Sequence, residues 1–186
     1  MIHPSAIIYP GVHIEDDVHI GAYCVIGGPP EDKKYFNQKE NFGVIISKGT
    51  RISDLVTVHA GTIRTTYIGP NACIFAHSHV GHDVIIGNSA IIGGGVSLAG
   101  HTHVMPGANV SGRSGTVPFV VIGAYSFVGA FSLITKHIPP GEKWIGFPAR
   151  NYGRNEIGLE RAGITHEECL ESWGKLFLQF TEGKNL

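Results

Sequence analysis

The chain has 186 residues, 26 of them glycine and 10 proline, with 16% charged residues, 42% hydrophobic residues and a formal net charge of −1. That apolar content excludes a disordered chain, and glycine without a three-residue period excludes collagen. With no basic excess, the sequence does not suit nucleic acid or an anionic membrane.

The N-terminus, Met1-Ile2-His3-Pro4, has no basic region followed by an apolar stretch, and no apolar run approaches the ~20 residues of a membrane helix. Cys24, Cys73 and Cys169 make neither a CxxC pair nor a disulfide framework. The expectation is a cytoplasmic protein with no membrane span.

An aliphatic side chain recurs every six residues. One register holds Ile2, Ile8, Ile14, Ile20 and Ile26, and a second holds Ile46, Ile52 and Val58. A third runs Ile68, Ile74, Val80, Ile86, Ile92, Leu98, Val104, Val110, Thr116, Ile122, Val128 and Ile134. Of these 20 positions, 19 are aliphatic. Small residues follow four positions later, as at Ala6, Cys24, Ala72, Ala90 and Ser126, and glycine often follows directly, as at Gly21, Gly69, Gly87 and Gly123. A period of six is neither helical nor the plain alternation of a strand. It predicts an all-β fold, a parallel β-helix of hexapeptide repeats, left-handed as in that superfamily, with glycine shaping the corners and about 18 residues per coil. The predicted solenoid covers residues 1–140. Stacked coils with apolar outer sides point to a homotrimer.

Two interruptions break the rhythm. Residues 27–43 form a flap that carries Glu31, Asp32, Lys33, Lys34, Tyr35 and Phe36 and is read as reaching over a neighbouring subunit. Residues 61–67 form a shorter and less telling slip. Beyond the solenoid, residues 141–186 are predicted as an extended segment followed by a helical tail. Asn155 caps a short helix that ends at Gly163, and Thr165 to Glu168 is a capping box. Leu170, Trp173, Phe177 and Phe180 form the face expected to pack on the β-helix.

The densest chemistry is a run of histidines: five fall between residues 77 and 103. His82 beside Asp83 suits a general base, and a coil of 18 residues stacks His82 on Gly100, whose bare N–H can face a developing oxyanion. A competing arrangement is zinc held by His59, His77 and His82 from adjacent coils and subunits, resembling the γ-class carbonic anhydrases. Histidines without a task on a bare scaffold are the third reading.

At these residues the chain resembles the bacterial UDP-N-acetylglucosamine O-acyltransferases, which acylate a sugar nucleotide in lipid A synthesis. The resemblance is carried by the flap motif, by residues 56–62, by His79-Val80-Gly81-His82-Asp83, by Leu98-Ala99-Gly100-His101 and by Gly158 to Gly163. It implies that His82 is the base, Asp83 its partner and Gly100 the oxyanion donor. It further implies that Asp32, Lys34, His79, His101 and Arg161 bind substrate, and that Phe127 and Ala130 limit the acyl chain to a short one. The acceptor would be a sugar nucleotide such as UDP-N-acetylglucosamine. The donor would be an acyl thioester on acyl carrier protein or coenzyme A, with no bound cofactor. Family members are longer by about one N-terminal coil and a larger helical domain, so this would be a shortened one. Gly146-Phe147-Pro148-Ala149-Arg150 instead resembles a segment of coenzyme A-dependent sugar acetyltransferases.

Overall fold

A computed structural model describes residues 1–35 and 42–182. Phe36 and the flap as far as residue 41 lie outside the described residues. The chain winds as a left-handed parallel β-solenoid of about seven turns, with two helices at its C-terminus. Three sheets form the sides of a triangular prism, with seven, six and eight strands. Strands of two or three residues pair with the strand one coil away, as where Ile7 and Ile8 pair with Val25 and Ile26, and His79 and Val80 with Ser97 and Leu98. The first sheet includes Thr57–His59, His79–Val80 and Ser97–Leu98, and the second includes Thr66–Ile68, Ile85–Ile86 and His103–Val104. The third includes Cys73–Ile74, Ile91–Ile92, Asn109–Val110 and Phe127–Val128.

The hexad residues fill the prism. Ile20, Ile26, Ile46, Ile52, Val58, Ile68 and their successors through Ile134 are fully buried, apart from the partly polar Thr116. Only the first coil departs: Ile2 is 45% exposed, and Ile8 and Ile14 are half-buried. Cys24, Ala72, Ala90 and Ser126 are buried at corners, as their size requires.

The glycines after the hexad residue have a different role from the one expected. Gly69 and Gly87 do not adopt left-handed backbone. A β-carbon there would sit 2.9 and 2.5 Å from backbone of the next coil. They are needed for close stacking. The left-handed turns fall mostly on other residues, among them Asp83 and His101, each at φ 60°.

The segment after the solenoid turns back on itself. Glu142–Gly146 extends the third sheet in parallel beside Phe127 and Val128, and Ala149–Arg154 returns antiparallel. Helix α1, Glu156–Ala162, is capped by the Asn155 side chain and ends at Gly163 in left-handed conformation. Helix α2, His166–Glu182, opens on the capping box, with Thr165 and Glu168 bonding reciprocally at 2.7 and 3.1 Å. It packs Trp173, Leu176, Phe177 and Phe180 against Met105, Val121 and Ala124. Leu170 is not part of that face: it is exposed, and the neighbouring Cys169 is the buried residue.

Candidate active site

Residues 81–84 form the edge where the first sheet passes into the second. The coil below contributes Gly61 to Thr65, and the coil above contributes Ala99 to Thr102. At this edge the Asp83 carboxylate accepts the N–H groups of Thr62 at 3.0 Å and of Ile63 and Arg64 at 2.9 Å. The Thr62 hydroxyl adds a bond of 2.6 Å and His82 Nδ1 one of 2.7 Å. Three successive N–H groups make a concave anion cradle. Burial of Asp83 opposes its ionisation, but the hydrogen bonds from Thr62, Ile63 and His82 outweigh it and hold the carboxyl at about 2.

An ionised carboxylate only accepts, so the proton between the pair sits on His82 Nδ1, which leaves Nε2 as the nitrogen that can take up a further proton. That nitrogen faces Gly100: a β-carbon on Gly100 would lie 2.5 Å from it. Any other residue would displace the ring. The Gly100 N–H has no hydrogen-bond partner among the described residues. One edge thus gathers a proton acceptor, its orienting carboxylate and an available N–H donor.

His101 walls the site from above. Its N–H donates to the His82 carbonyl at 2.9 Å, its ring stacks on Phe119 at 4.3 Å, and it meets the His82 ring edge-on at 4.9 Å. Its Nε2 lies 3.8 Å from Asp83. Burial lowers the pKa of both His79 and His101, so both rings are neutral at pH 7. Below, the His79 Nδ1 bonds the Thr57 hydroxyl at 3.0 Å, and His79 neighbours His59 and Glu31. Asp32 is close enough for its charge to act on His101, and its side chain accepts the Lys34 N–H at 2.8 Å. The Lys34 ammonium is exposed and lies 5.3 Å from the Tyr35 ring centroid.

Within one chain, three of the expected residues fall elsewhere. Phe127 and Arg161 line a cavity of about 510 Å³ on the third sheet, with Tyr125, Lys143 and Ile157. Ala130 is exposed at a different edge. The His59, His77 and His82 grouping is not assembled in the chain. Its premise was 18 residues per coil, but Thr57 pairs with His79, a step of 22. The extra four residues shift His59 beside His79, whereas His77 lies on another edge, where its N–H bonds the Asp54 carbonyl. Among the described residues, Glu31 with His59 and His79, and His82 with Asp83 and His101, are the two groups spaced to hold a metal. The sequence reading missed the cradle altogether. Its one signal was the same four-residue excess.

The family model for the bacterial transferase hexapeptide, six repeats, matches residues 1–28 and 65–100. The repeats and this edge define the class: a hexapeptide-repeat O-acyltransferase. The acyl-[acyl-carrier-protein]--UDP-N-acetylglucosamine O-acyltransferase of Burkholderia lata is 31% identical over 203 residues, covering 88% of this chain and 77% of its own. The structure of LpxA, a UDP-N-acetylglucosamine acyltransferase from Bacteroides fragilis, superposes with a TM-score of 0.85 at 28% identity, covering 99% of this chain and 72% of that one. LpxA from Acinetobacter baumannii gives 0.76 at 28% identity, covering 98% and 85%. The chain belongs to the UDP-N-acetylglucosamine O-acyltransferase family.

Proposed function

We propose that the protein transfers an acyl group from an acyl thioester to a hydroxyl of a sugar nucleotide, UDP-N-acetylglucosamine being the acceptor its relatives are named for. The single observation that carries the mechanism is the 2.7 Å contact between His82 Nδ1 and Asp83, which leaves Nε2 to take up a proton beside Gly100. Nε2 takes the proton of the acceptor hydroxyl as its oxygen attacks the thioester carbonyl. The Gly100 N–H stabilises the oxyanion, and Asp83 balances the imidazolium that forms. Collapse expels the thiolate, which recovers the proton from His82. No covalent enzyme intermediate is required.

Asp32, Lys34, His79 and His101 line the approach to His82 and hold the sugar nucleotide. Arg161 and Lys143 supply cations beside an apolar cavity, and Phe127 in that cavity shortens the acyl chain the protein accepts. Ala130 limits the chain length at its own edge. Exposed Phe75, Phe119 and Phe131 along the coil edges support side-by-side association as a homotrimer, in which the Arg161 cavity of one subunit would complete the His82 edge of another. The names of the relatives favour acyl carrier protein over coenzyme A as the donor. Free cysteines at 24, 73 and 169 suit the cytoplasm, and no described helix is long and apolar enough to cross a membrane. We read the chain as a β-helix unit over residues 1–140, with the flap at 27–43 within it, followed by an extended segment and C-terminal helix over residues 141–186.

The test is thioester release from acyl carrier protein in the presence of UDP-N-acetylglucosamine. His82→Ala is expected to lower the rate by ~10²–10⁴-fold, the usual contribution of a general base. A loss of only ~10-fold would assign His82 a lesser part.

A further inference from the structure

Phe119 is the outermost of three rings stacked along the active edge. It lies parallel to His101, 4.3 Å between centres and 5° between planes, and His101 meets His82 edge-on at 4.9 Å. No hydrogen bond fixes the His101 side chain. Its Nδ1 is buried with no partner among the described residues, and its Nε2 stands 3.8 Å from Asp83, beyond hydrogen-bond reach. A buried polar atom left unmade favours a turn of the ring out to water. What opposes that turn is packing, and the packing is Phe119 on one side and His82 on the other.

The Phe119 side is firmly built. Its N–H donates to the Gly100 carbonyl at 3.2 Å, which ties this corner to the coil below. Pro118 fixes φ just before it. The ring does not serve the interior, since Phe119 is not among the side chains of the core column. Nor does the corner call for an aromatic residue: Ser89 takes the same left-handed conformation at φ 54°, against 64° at Phe119. The ring is 48% exposed, while the His101 side chain beneath it is only 10% exposed. What the ring covers is His101.

We propose that Phe119 is a positioning residue of the acyl transfer: its ring clamps His101 in the orientation in which it holds the acceptor beside His82. The proposal rests on the reading that His101 binds the sugar nucleotide. The experiment compares Phe119→Ser, which the corner accommodates, with Phe119→Tyr, which keeps the ring. The first readout is the NMR titration of His101 in the full chain, which needs no turnover. Burial is the main cause that lowers the His101 pKa; His82 and Arg64 act in the same direction, and Asp83 and Asp32 oppose them. In Phe119→Ser the imidazole is expected to reach water and to titrate closer to the ordinary 6.5, while Phe119→Tyr matches the parent. The second readout is thioester release. In Phe119→Ser the KM for UDP-N-acetylglucosamine is expected to rise by ~10-fold, about one hydrogen bond to the substrate, with kcat changing less because Asp83 still holds His82. Phe131→Ser, at an exposed ring on another edge, is expected to leave the His101 titration in place. An unmoved His101 titration in Phe119→Ser would overturn the proposal. So would a Phe119→Tyr protein that behaves like Phe119→Ser, or a Phe131→Ser protein that moves His101 as far, which would trace the effect to subunit association. Because the titration is read without substrate, failure of the clamp and failure of the acyltransferase reading are told apart.

Discussion

Asp83 orients His82 through one hydrogen bond, and the coil below holds Asp83 through four other donors. Thr62 contributes both an N–H and the shortest of these bonds, 2.6 Å from its hydroxyl. Thr62→Val removes the hydroxyl and keeps the N–H. A hydrogen bond to a charged group is worth about 1.5–3 kcal/mol, so kcat is expected to fall by roughly 10-fold or more. The acidic limb of the pH–rate profile, where a base must give up its proton to act, should move with it, and Thr62→Ser should restore both. A profile that does not move would reduce Thr62 to a structural residue. Gly100→Ala keeps the N–H but would bring a β-carbon to 2.5 Å from His82 Nε2, so kcat is expected to fall by ~10²–10⁴-fold through displacement of the base. The juxtaposition of His82, Asp83 and Gly100 was legible because they are adjacent or one regular coil apart. The cradle was not, because backbone N–H groups carry no residue signature and the coil count slipped by four just below them.

Among the elements, local signals served best. Asn155, Gly163 and the Thr165-to-Glu168 box depend on residues within one turn of each other, and all three act where the sequence placed them. Thr165→Ala is expected to cost about 1 kcal/mol, read as a lower denaturant midpoint at unchanged slope. The packed face of α2 was legible only in outline. Spacing alone put Leu170 on the stripe with Trp173 and Phe177. The angle at which α2 leaves its capping box turns Cys169 inward, where burial pushes its thiol up to about 11. The hairpin at 142–154 was legible only as an extended segment, because the strands on either side of Phe147-Pro148 show no alternation that marks the turn between them.

Across the whole molecule, stability comes from a column of interior side chains, and acid should weaken it in two stages. His103 is buried against Phe180, and its Nδ1 has no hydrogen-bond partner among the described residues. Burial, reinforced by the nearby Arg64 charge, lowers its pKa from 6.5 to about 4. Between those values the unfolded chain binds a proton that the folded chain does not. Stability therefore falls as pH drops from 6.5 to about 4 and levels off below, a loss of about 3 kcal/mol at most. His103→Leu should flatten this part of the melting profile, and a variant that still falls as steeply would acquit the residue. Asp83 acts lower down. Its folded pKa of about 2 lies below the ordinary aspartate value of 3.8, so its contribution is complete above 3.8 and lost as pH falls through about 2. The hexad period made the column legible, since every coil obeys it.

A solenoid of near-identical rungs has a built-in ambiguity: each rung could mate with the wrong neighbour and still satisfy its ladder. The four surplus residues between Thr57 and His79 break that translational symmetry. They present a row of N–H groups that only the rung bearing Asp83 can satisfy. The same irregularity that fixes the proton acceptor thus acts as an index mark along the stack. Excising it would make the repeat more regular and leave the chain less able to find its one registry.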